Sequence, residues 1–171
     1  IKSGKMETAS VEQTYSPSMD IQVSSNFERQ IFECLGRNSD SLKDIMNSFS
    51  KTGRYTFSTK VVNNLQDIFN SYSVSNKQTL KTINNFKNQY NYLADPHTAT
   101  GLYVLEKEQS DKPLISLACA HPAKFGNAIK EATGSLPNFP QELENIFDKE
   151  ENVIILDNNI EDIKNHILKN L

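Results

Sequence analysis

The sequence of 171 residues has few cysteines, no long apolar run and no block of charges of one sign. Its two cysteines, Cys34 and Cys119, lie far apart without a CxxC motif or a nearby pair of histidines, so we predict neither a disulfide framework nor a metal site. No segment approaches the ~20 apolar residues of a membrane-spanning helix. No run of lysine and arginine follows the pattern that binds nucleic-acid phosphates. We therefore expect no metal, membrane or nucleic acid among the ligands and partners, and a cytoplasmic location.

What is present has the composition of a folded domain. Hydrophobic residues make up 37% of the chain and charged residues 23%, with a net charge of −3, which is typical of globular proteins. From residue 25 to residue 94 the apolar residues recur at helical spacing. The segments Ser25–Glu28 and Ser75–Gln78 have the capping-box pattern that starts a helix. We predict an all-helical insertion over residues 36–94.

After residue 94 helical and strand patterns alternate. Asp95 followed by Pro96 predicts a helix from Pro96 to about Glu108. Two short apolar runs, Leu114–Ala118 and Val153–Leu156, are typical of strands buried on both faces of a parallel sheet. Helical patterns follow each run. The alternation predicts an α/β layer made of residues 1–35 and 95–171.

Two short strands are too few for a stable sheet, because sheets usually contain several strands. We therefore expect the α/β layer to be the last portion of a larger parallel sheet. The sequence begins with Ile1 and not with methionine, so we expect it to begin inside a longer reading frame or after a removed tag.

Three stretches are more specific than these general patterns: Ser16–Arg29 (SPSMDIQVSSNFER), Asp95–Gly101 (DPHTATG) and Ala118–Phe125 (ACAHPAKF). In this order, and with a helical segment between the first two, they resemble threonine synthase of the longer bacterial and fungal type. The resemblance implies the C-terminal portion of a pyridoxal-phosphate enzyme of fold type II, the fold of the tryptophan synthase β subunit. It also implies a lyase of threonine biosynthesis, which converts O-phosphohomoserine and water into threonine and phosphate.

In this family the Schiff-base lysine lies in an SFKD-like motif, and a glycine-rich loop binds the cofactor phosphate. Both belong to the N-terminal half of the enzyme, and neither motif occurs in this sequence. The resemblance therefore implies that the chain holds no catalytic residue, does not bind pyridoxal phosphate covalently, and is inactive without the N-terminal half as its partner.

The resemblance aligns Cys119 with a position that is usually threonine, whose side chain contacts the pyridine nitrogen of the cofactor. A thiol is a weaker hydrogen-bond donor than a hydroxyl, and Cys119 is equally well explained as a small buried residue at the end of a strand. Asn26, His97, Thr98 and Lys124 are the candidates for the substrate pocket. His97 and Thr98 occupy the first turn of a predicted helix, where free amides attract anions, although ordinary capping also explains that turn. Lys124 is either an anion contact or a solvated side chain.

Two alternatives to threonine synthase remain open at the level of the sequence. In the first, the chain is a non-catalytic remnant or a structural or binding module that kept the packing of the fold. In the second, it is part of a threonine synthase-like phospho-lyase with the same cofactor and a different product.

Overall fold

Helices account for most of the regular structure of the chain, and the computed structural model describes all residues from 1 to 171. The α-helices are α1 (Phe27–Cys34), α2 (Ser39–Thr52), α3 (Thr59–Gln66), α4 (Asn76–Tyr90), α5 (Pro96–Leu105), α6 (Gly126–Thr133) and α7 (Ile160–Lys169). Two short strands, β1 (Lys5–Glu7) and β2 (Arg54–Thr56), form an antiparallel pair. The chain divides into two units, Ile1–Pro137 and Asn138–Leu171.

A first hydrophobic core lies between the strand pair and helices α1, α2 and α3. Met6 stands opposite Tyr55 in the strand register, and both residues pack against the core. Ile31 of α1, Ile45 of α2 and Leu65 of α3 form its centre, and Ile31 is completely inaccessible to solvent. The helical periodicity of the sequence therefore indicates the inward position of these three residues correctly, whereas Ile68 and Tyr72, which follow α3 at the same spacing, are exposed.

A second core joins α4, α5 and α6, and it supports the candidate site. Ile83 of α4, Ala99 of α5 and Ile129 of α6 are each fully buried. The start of α4 is the predicted capping box, in which the Ser75 side chain accepts from the Gln78 amide and the Gln78 side chain bonds back to the backbone of Ser75. The packing of Ile83, Ala99 and Ile129 against one another fixes α5 between α4 and α6.

The predicted capping box at Ser25–Glu28 is wrong. Helix α1 begins at Phe27, its N-cap is Asn26, and the Asn26 side chain makes no capping hydrogen bond. The backbone of Asn26 is itself helical, with φ −72° and ψ −24°. A capping side chain reaches the amides of the first turn when its own backbone is extended, as it is at Ser75 and Asp95.

The two predicted strands, Leu114–Ala118 and Val153–Leu156, are not part of any sheet within this chain. The prediction that both faces of these runs are buried is also wrong here, since Ile115 is 85% exposed and Ile155 is 92% exposed. A strand is defined by hydrogen bonds to a neighbouring strand, and residues 113–118 make no backbone–backbone hydrogen bond. The apolar composition is that of a strand, but this chain offers it no partner.

The residues from Asn138 to Leu171 bury no side chain. They contain two 3₁₀ turns, Gln141–Leu143 and Ile146–Asp148, and then α7. The rings of Phe139 and Phe147 meet edge to face with centroids 5.3 Å apart. The isoleucines of α7, Ile160, Ile163 and Ile167, are all exposed. No helix of the chain is both long and apolar enough to cross a lipid bilayer.

The span from residue 36 to residue 94 contains the helices α2, α3 and α4, joined by loops, and one strand, β2, which pairs with β1 outside the span. Its description as an insertion into an α/β layer of residues 1–35 and 95–171 stays a prediction.

Candidate functional site

The start of α5 is the most deeply buried polar feature of the chain. Asp95 has an extended backbone, and its carboxylate accepts hydrogen bonds from the amide of His97 at 2.9 Å and from that of Thr98 at 3.4 Å. Pro96 occupies the first helical position, where an amide proton is not required. Asp95 is only 1% exposed and Thr98 only 2%. The predicted cap is confirmed, but it lies in the interior and not at the surface.

The same carboxylate also binds a segment more than twenty residues away. The amide of Ala120 donates to Oδ2 of Asp95 at 3.1 Å, and the amide of Cys119 donates to Oγ1 of Thr98 at 2.8 Å. The Thr98 hydroxyl in turn donates to Oδ2 of Asp95. Two consecutive amides are therefore held by two side chains of the first turn of α5, and these side chains also bind each other.

The electrostatics of Asp95 follow from these contacts. Burial alone would raise the pKa of the Asp95 carboxyl, because it penalises the charged form. Hydrogen bonds from the Thr98 side chain, the amides of His97 and Ala120 and the His97 side chain outweigh this penalty and hold the pKa below its ordinary value. Asp95 is therefore a carboxylate at neutral pH and serves as an acceptor for several donors.

Both ring nitrogens of His97 are engaged within the chain. Nδ1 lies 3.0 Å from Oδ1 of Asp95, and Nε2 accepts from the amide of Ser18 at 3.2 Å. An acceptor at Nε2 and a carboxylate at Nδ1 together assign the neutral tautomer with its proton on Nδ1. The ring also packs against that of Phe125, with centroids 4.9 Å apart. In this arrangement His97 connects the Ser18 turn to α5 and has no free nitrogen for a proton transfer.

An open cavity of about 470 Å³ adjoins this network, and three of the predicted site residues line it: His97, Cys119 and Lys124. Cys119 is a free, exposed thiol, whose Sγ lies 3.6 Å from the carbonyl oxygen of Leu117. Lys124 is exposed. The structure thus brings a thiol and an ammonium group to one cavity.

Ser116 and Gly101 also line this cavity. The Oγ of Ser116 is buried and has no hydrogen-bond partner within the chain, which is unusual for a buried polar atom. A Cβ at Gly101 would come within 2.7 Å of that oxygen, so glycine at this position of α5 allows the segment that carries Ser116 to approach the helix. The unpaired hydroxyl fits a site that is completed by polar groups from outside this chain.

The remaining predicted site residues lie differently. Asn26 does not line this cavity and lies in a separate depression beside Phe27 and Arg29. Thr98 lies behind the cavity wall, and its hydroxyl is used by Asp95 and Cys119. No group of three or more histidine, cysteine, aspartate or glutamate side chains is arranged to hold a metal ion.

Sequence reasoning missed the central role of Asp95, which it treated as a helix cap. The Asp95-Pro96 pair signals a cap, but no local pattern shows that the amide of Ala120 reaches the same carboxylate. The contacts of Ser18 and Phe125 with His97 were missed for the same reason. Both residues do lie within the specific stretches SPSMD and ACAHPAKF, so those stretches mark the segments that meet at this site.

Comparison with known proteins gives a consistent result. Residues 98–167 match the family model described as threonine synthase, C-terminal. The threonine synthase of Pseudomonas aeruginosa is 34% identical over 148 residues, which is 85% of this chain and 32% of that protein. The threonine synthase of Saccharomyces cerevisiae is 35% identical over 159 residues, which is 81% of this chain and 31% of that protein. The chain therefore spans about a third of the length of these relatives.

Solved structures agree with the sequence comparison. The crystal structure of pyridoxal-phosphate-bound threonine synthase from Brucella melitensis matches 97% of this chain and 36% of its own chain, with a TM-score of 0.87 and 36% identity. Yeast threonine synthase matches 98% of this chain and 38% of its own, with a TM-score of 0.81 and 28% identity. These matches confirm the predicted fold class, the C-terminal portion of an α/β enzyme of this type.

Proposed function

We propose that this chain, which corresponds in sequence and fold to the C-terminal part of the threonine synthases, forms one wall of the cofactor site in an enzyme of full family length. That enzyme converts O-phosphohomoserine and water into threonine and phosphate. The observation that carries the proposal is the cavity lined by Cys119 and Lys124, next to the buried Asp95 network. A free thiol and a cation at one cavity suit a cofactor edge and an anionic substrate.

The residues of this cavity fit part of a pyridoxal-phosphate site. When bound, the cofactor supplies the electron sink of the reaction. We assign to Cys119 the contact with the pyridine nitrogen, supported by its exposed thiol, and to Lys124 the binding of an anionic group of the substrate. The Ser116 hydroxyl, which is buried and unpaired, is available to a ligand or to a neighbouring part of the enzyme. The role of Asn26 in the substrate pocket stays a prediction.

The partner in this proposal is the N-terminal part of the enzyme, which would supply the covalently bound lysine and the phosphate loop. Leu114, Ile115 and Leu117 are exposed in this chain, and residues 113–118 make no backbone–backbone hydrogen bond. An apolar segment with free amides and carbonyls is what an additional strand offers to a sheet. We also propose a cytoplasmic location, which the free thiols of Cys34 and Cys119 support.

Activity of the complete enzyme tests the proposal. In an enzyme of full family length that ends in this segment, we expect equal amounts of threonine and phosphate from O-phosphohomoserine. Replacing Cys119 by alanine should weaken cofactor binding about fivefold, the equivalent of one neutral hydrogen bond of about 1 kcal/mol.

The products separate the alternatives. Phosphate released without threonine would identify a phospho-lyase instead. A folded full-length protein that neither binds pyridoxal phosphate nor releases phosphate would identify a non-catalytic module of the same fold.

A further inference from the structure

The geometry points to Asp95 and Thr98 as positioning residues: we propose that they hold the backbone of Cys119 and Ala120 so that the Cys119 thiol faces the cavity. Neither residue touches a cofactor in this assignment, and both act through the segment that they bind. The inference rests on the proposed function, in which the Cys119 thiol must face the cavity in order to contact the cofactor.

The contacts form a closed arrangement. The Cys119 amide donates to Oγ1 of Thr98 at 2.8 Å, and the Ala120 amide donates to Oδ2 of Asp95 at 3.1 Å. The Thr98 hydroxyl donates its own proton to that same carboxylate oxygen. Because the hydroxyl proton is committed to Asp95, the Thr98 oxygen presents its lone pairs to Cys119. Asp95 therefore determines how Thr98 can bind the segment.

Capping alone does not explain these bonds. A capping aspartate needs to bind only amides of its own first turn, and Asp95 already binds those of His97 and Thr98. The bonds to Cys119 and Ala120 span 21 and 25 residues. They add nothing to the start of α5, but they fix the position of a segment outside it.

That segment has little else to hold it. Residues 113–118, which lead into Cys119, make no backbone–backbone hydrogen bond in this chain. The two bonds to α5 are partly buried, and the bond to Asp95 is charge-assisted, which makes it stronger than a bond between neutral groups. A side chain that meets a ligand must be held to within about 0.5 Å, and these two bonds act on the backbone of Cys119 itself and of its next neighbour.

Replacement of Thr98 by valine in the full-length enzyme tests the inference, since valine has nearly the same shape and lacks the hydroxyl. We expect amide hydrogen exchange of Cys119 and Ala120 to become at least tenfold faster, and the dissociation constant of pyridoxal phosphate to rise about fivefold, the equivalent of one lost hydrogen bond. Thr98→Ser keeps the hydroxyl and should restore both values to within twofold of the wild type.

Thr79→Val is the matched control. Thr79 is also buried, and its hydroxyl donates to the carbonyl of Ser75 at 3.2 Å within α4. This variant should lower thermal stability much as Thr98→Val does, while cofactor affinity and the exchange of the Cys119 amide remain unchanged.

The outcomes separate the inference from the function on which it rests. Unchanged amide exchange at Cys119 and Ala120 in Thr98→Val would overturn the inference, whether or not the enzyme is active. Faster exchange with unchanged cofactor affinity would support the hold on the backbone and contradict the contact between Cys119 and the cofactor. Equal losses of cofactor affinity in Thr98→Val and Thr79→Val would reduce Thr98 to a general stability role and overturn the inference.

Discussion

Helices α5 and α7 have similar sequence signals at their starts, but α5 is largely buried and α7 is exposed. Each is ten residues long and begins with an extended cap residue, Asp95 or Asn159, whose side chain accepts from two amides of the first turn. Helix α5 buries five residues, whereas α7 buries none. Yet α7 has the clearer stripe of apolar residues. The comparison shows that caps and periodicity determine whether a segment is helical, while burial depends on what lies next to it.

For α5 the neighbours belong to this chain. Helices α4 and α6 cover it, and the backbone of Cys119 and Ala120 closes over its first turn. The isoleucines of α7 have no comparable cover, since Ile160, Ile163 and Ile167 are all exposed. We predict that they are covered in an enzyme of full family length, of which this chain spans about a third.

The largest expected effect tests whether α7, unlike α5, remains exposed in the full-length enzyme. If α7 is covered in the full-length enzyme, Ile167→Lys places a charge in an apolar contact and should lower the free energy of unfolding by about 3 kcal/mol. Asn165→Lys introduces the same charge at a polar position of the helix and is the control, with an expected change below about 0.5 kcal/mol. Urea denaturation measures both. Equal, small changes would show that α7 stays exposed in the complete enzyme.

Removal of the α5 cap comes second. Asp95→Ala leaves the amides of His97, Thr98 and Ala120 without an acceptor in a buried place, and buried unpaired donors are costly. We expect a loss of about 3 kcal/mol in the free energy of unfolding of the full-length enzyme, measured by its urea midpoint. A loss near 1 kcal/mol would place Asp95 with ordinary exposed caps and remove the contrast with α7.

The charge of Asp95 predicts a pH dependence of stability that the cap of α7, Asn159, cannot produce, because its amide side chain does not titrate. The pKa of Asp95 is lowered in the folded chain from the ordinary value of 3.8, so its charged form stabilises the fold fully above that value. The contribution is lost as the pH falls below 3.8 toward the folded-state pKa. Between pH 5 and pH 3 the wild type should therefore lose stability more steeply than Asp95→Asn, which cannot titrate at this position. Parallel stability curves for the two proteins would contradict the lowered pKa.

The comparison also shows what the sequence alone can predict. Asp95-Pro96 and the Ser75–Gln78 box are complete within four residues, so the starts of α5 and α4 were predicted correctly. Ser25 has the same local pattern and does not cap α1, because the backbone at Asn26 is helical. A local pattern sets a preference that the surrounding chain can override.

Contacts between distant segments could not be predicted from the sequence. The hydrogen bond between Ala120 and Asp95 depends on how α5 meets the segment after Ser116, and no spacing along the chain encodes that meeting. The strand character of Leu114–Ala118 was readable from its apolar residues, but a ladder also needs a partner strand. The cavity brings together His97, Cys119 and Lys124, which the resemblance had selected, and leaves out Asn26.

The smallest expected effect concerns the removal of the capping side chain of α7. Asn159 accepts from the amides of Glu161 and Asp162 at 2.9 and 3.4 Å, and it is exposed. Because water can replace this acceptor when the side chain is removed, Asn159→Ala should cost about 1 kcal/mol or less in the free energy of unfolding. Asn159→Asp keeps an acceptor and adds a negative charge at the positive end of the helix dipole, so it should match or slightly exceed the wild type. Urea denaturation of the full-length enzyme measures both variants beside Asp95→Ala. A loss at Asn159 as large as that at Asp95 would mean that the start of α7 is as deeply buried in the complete enzyme as the start of α5 is in this chain.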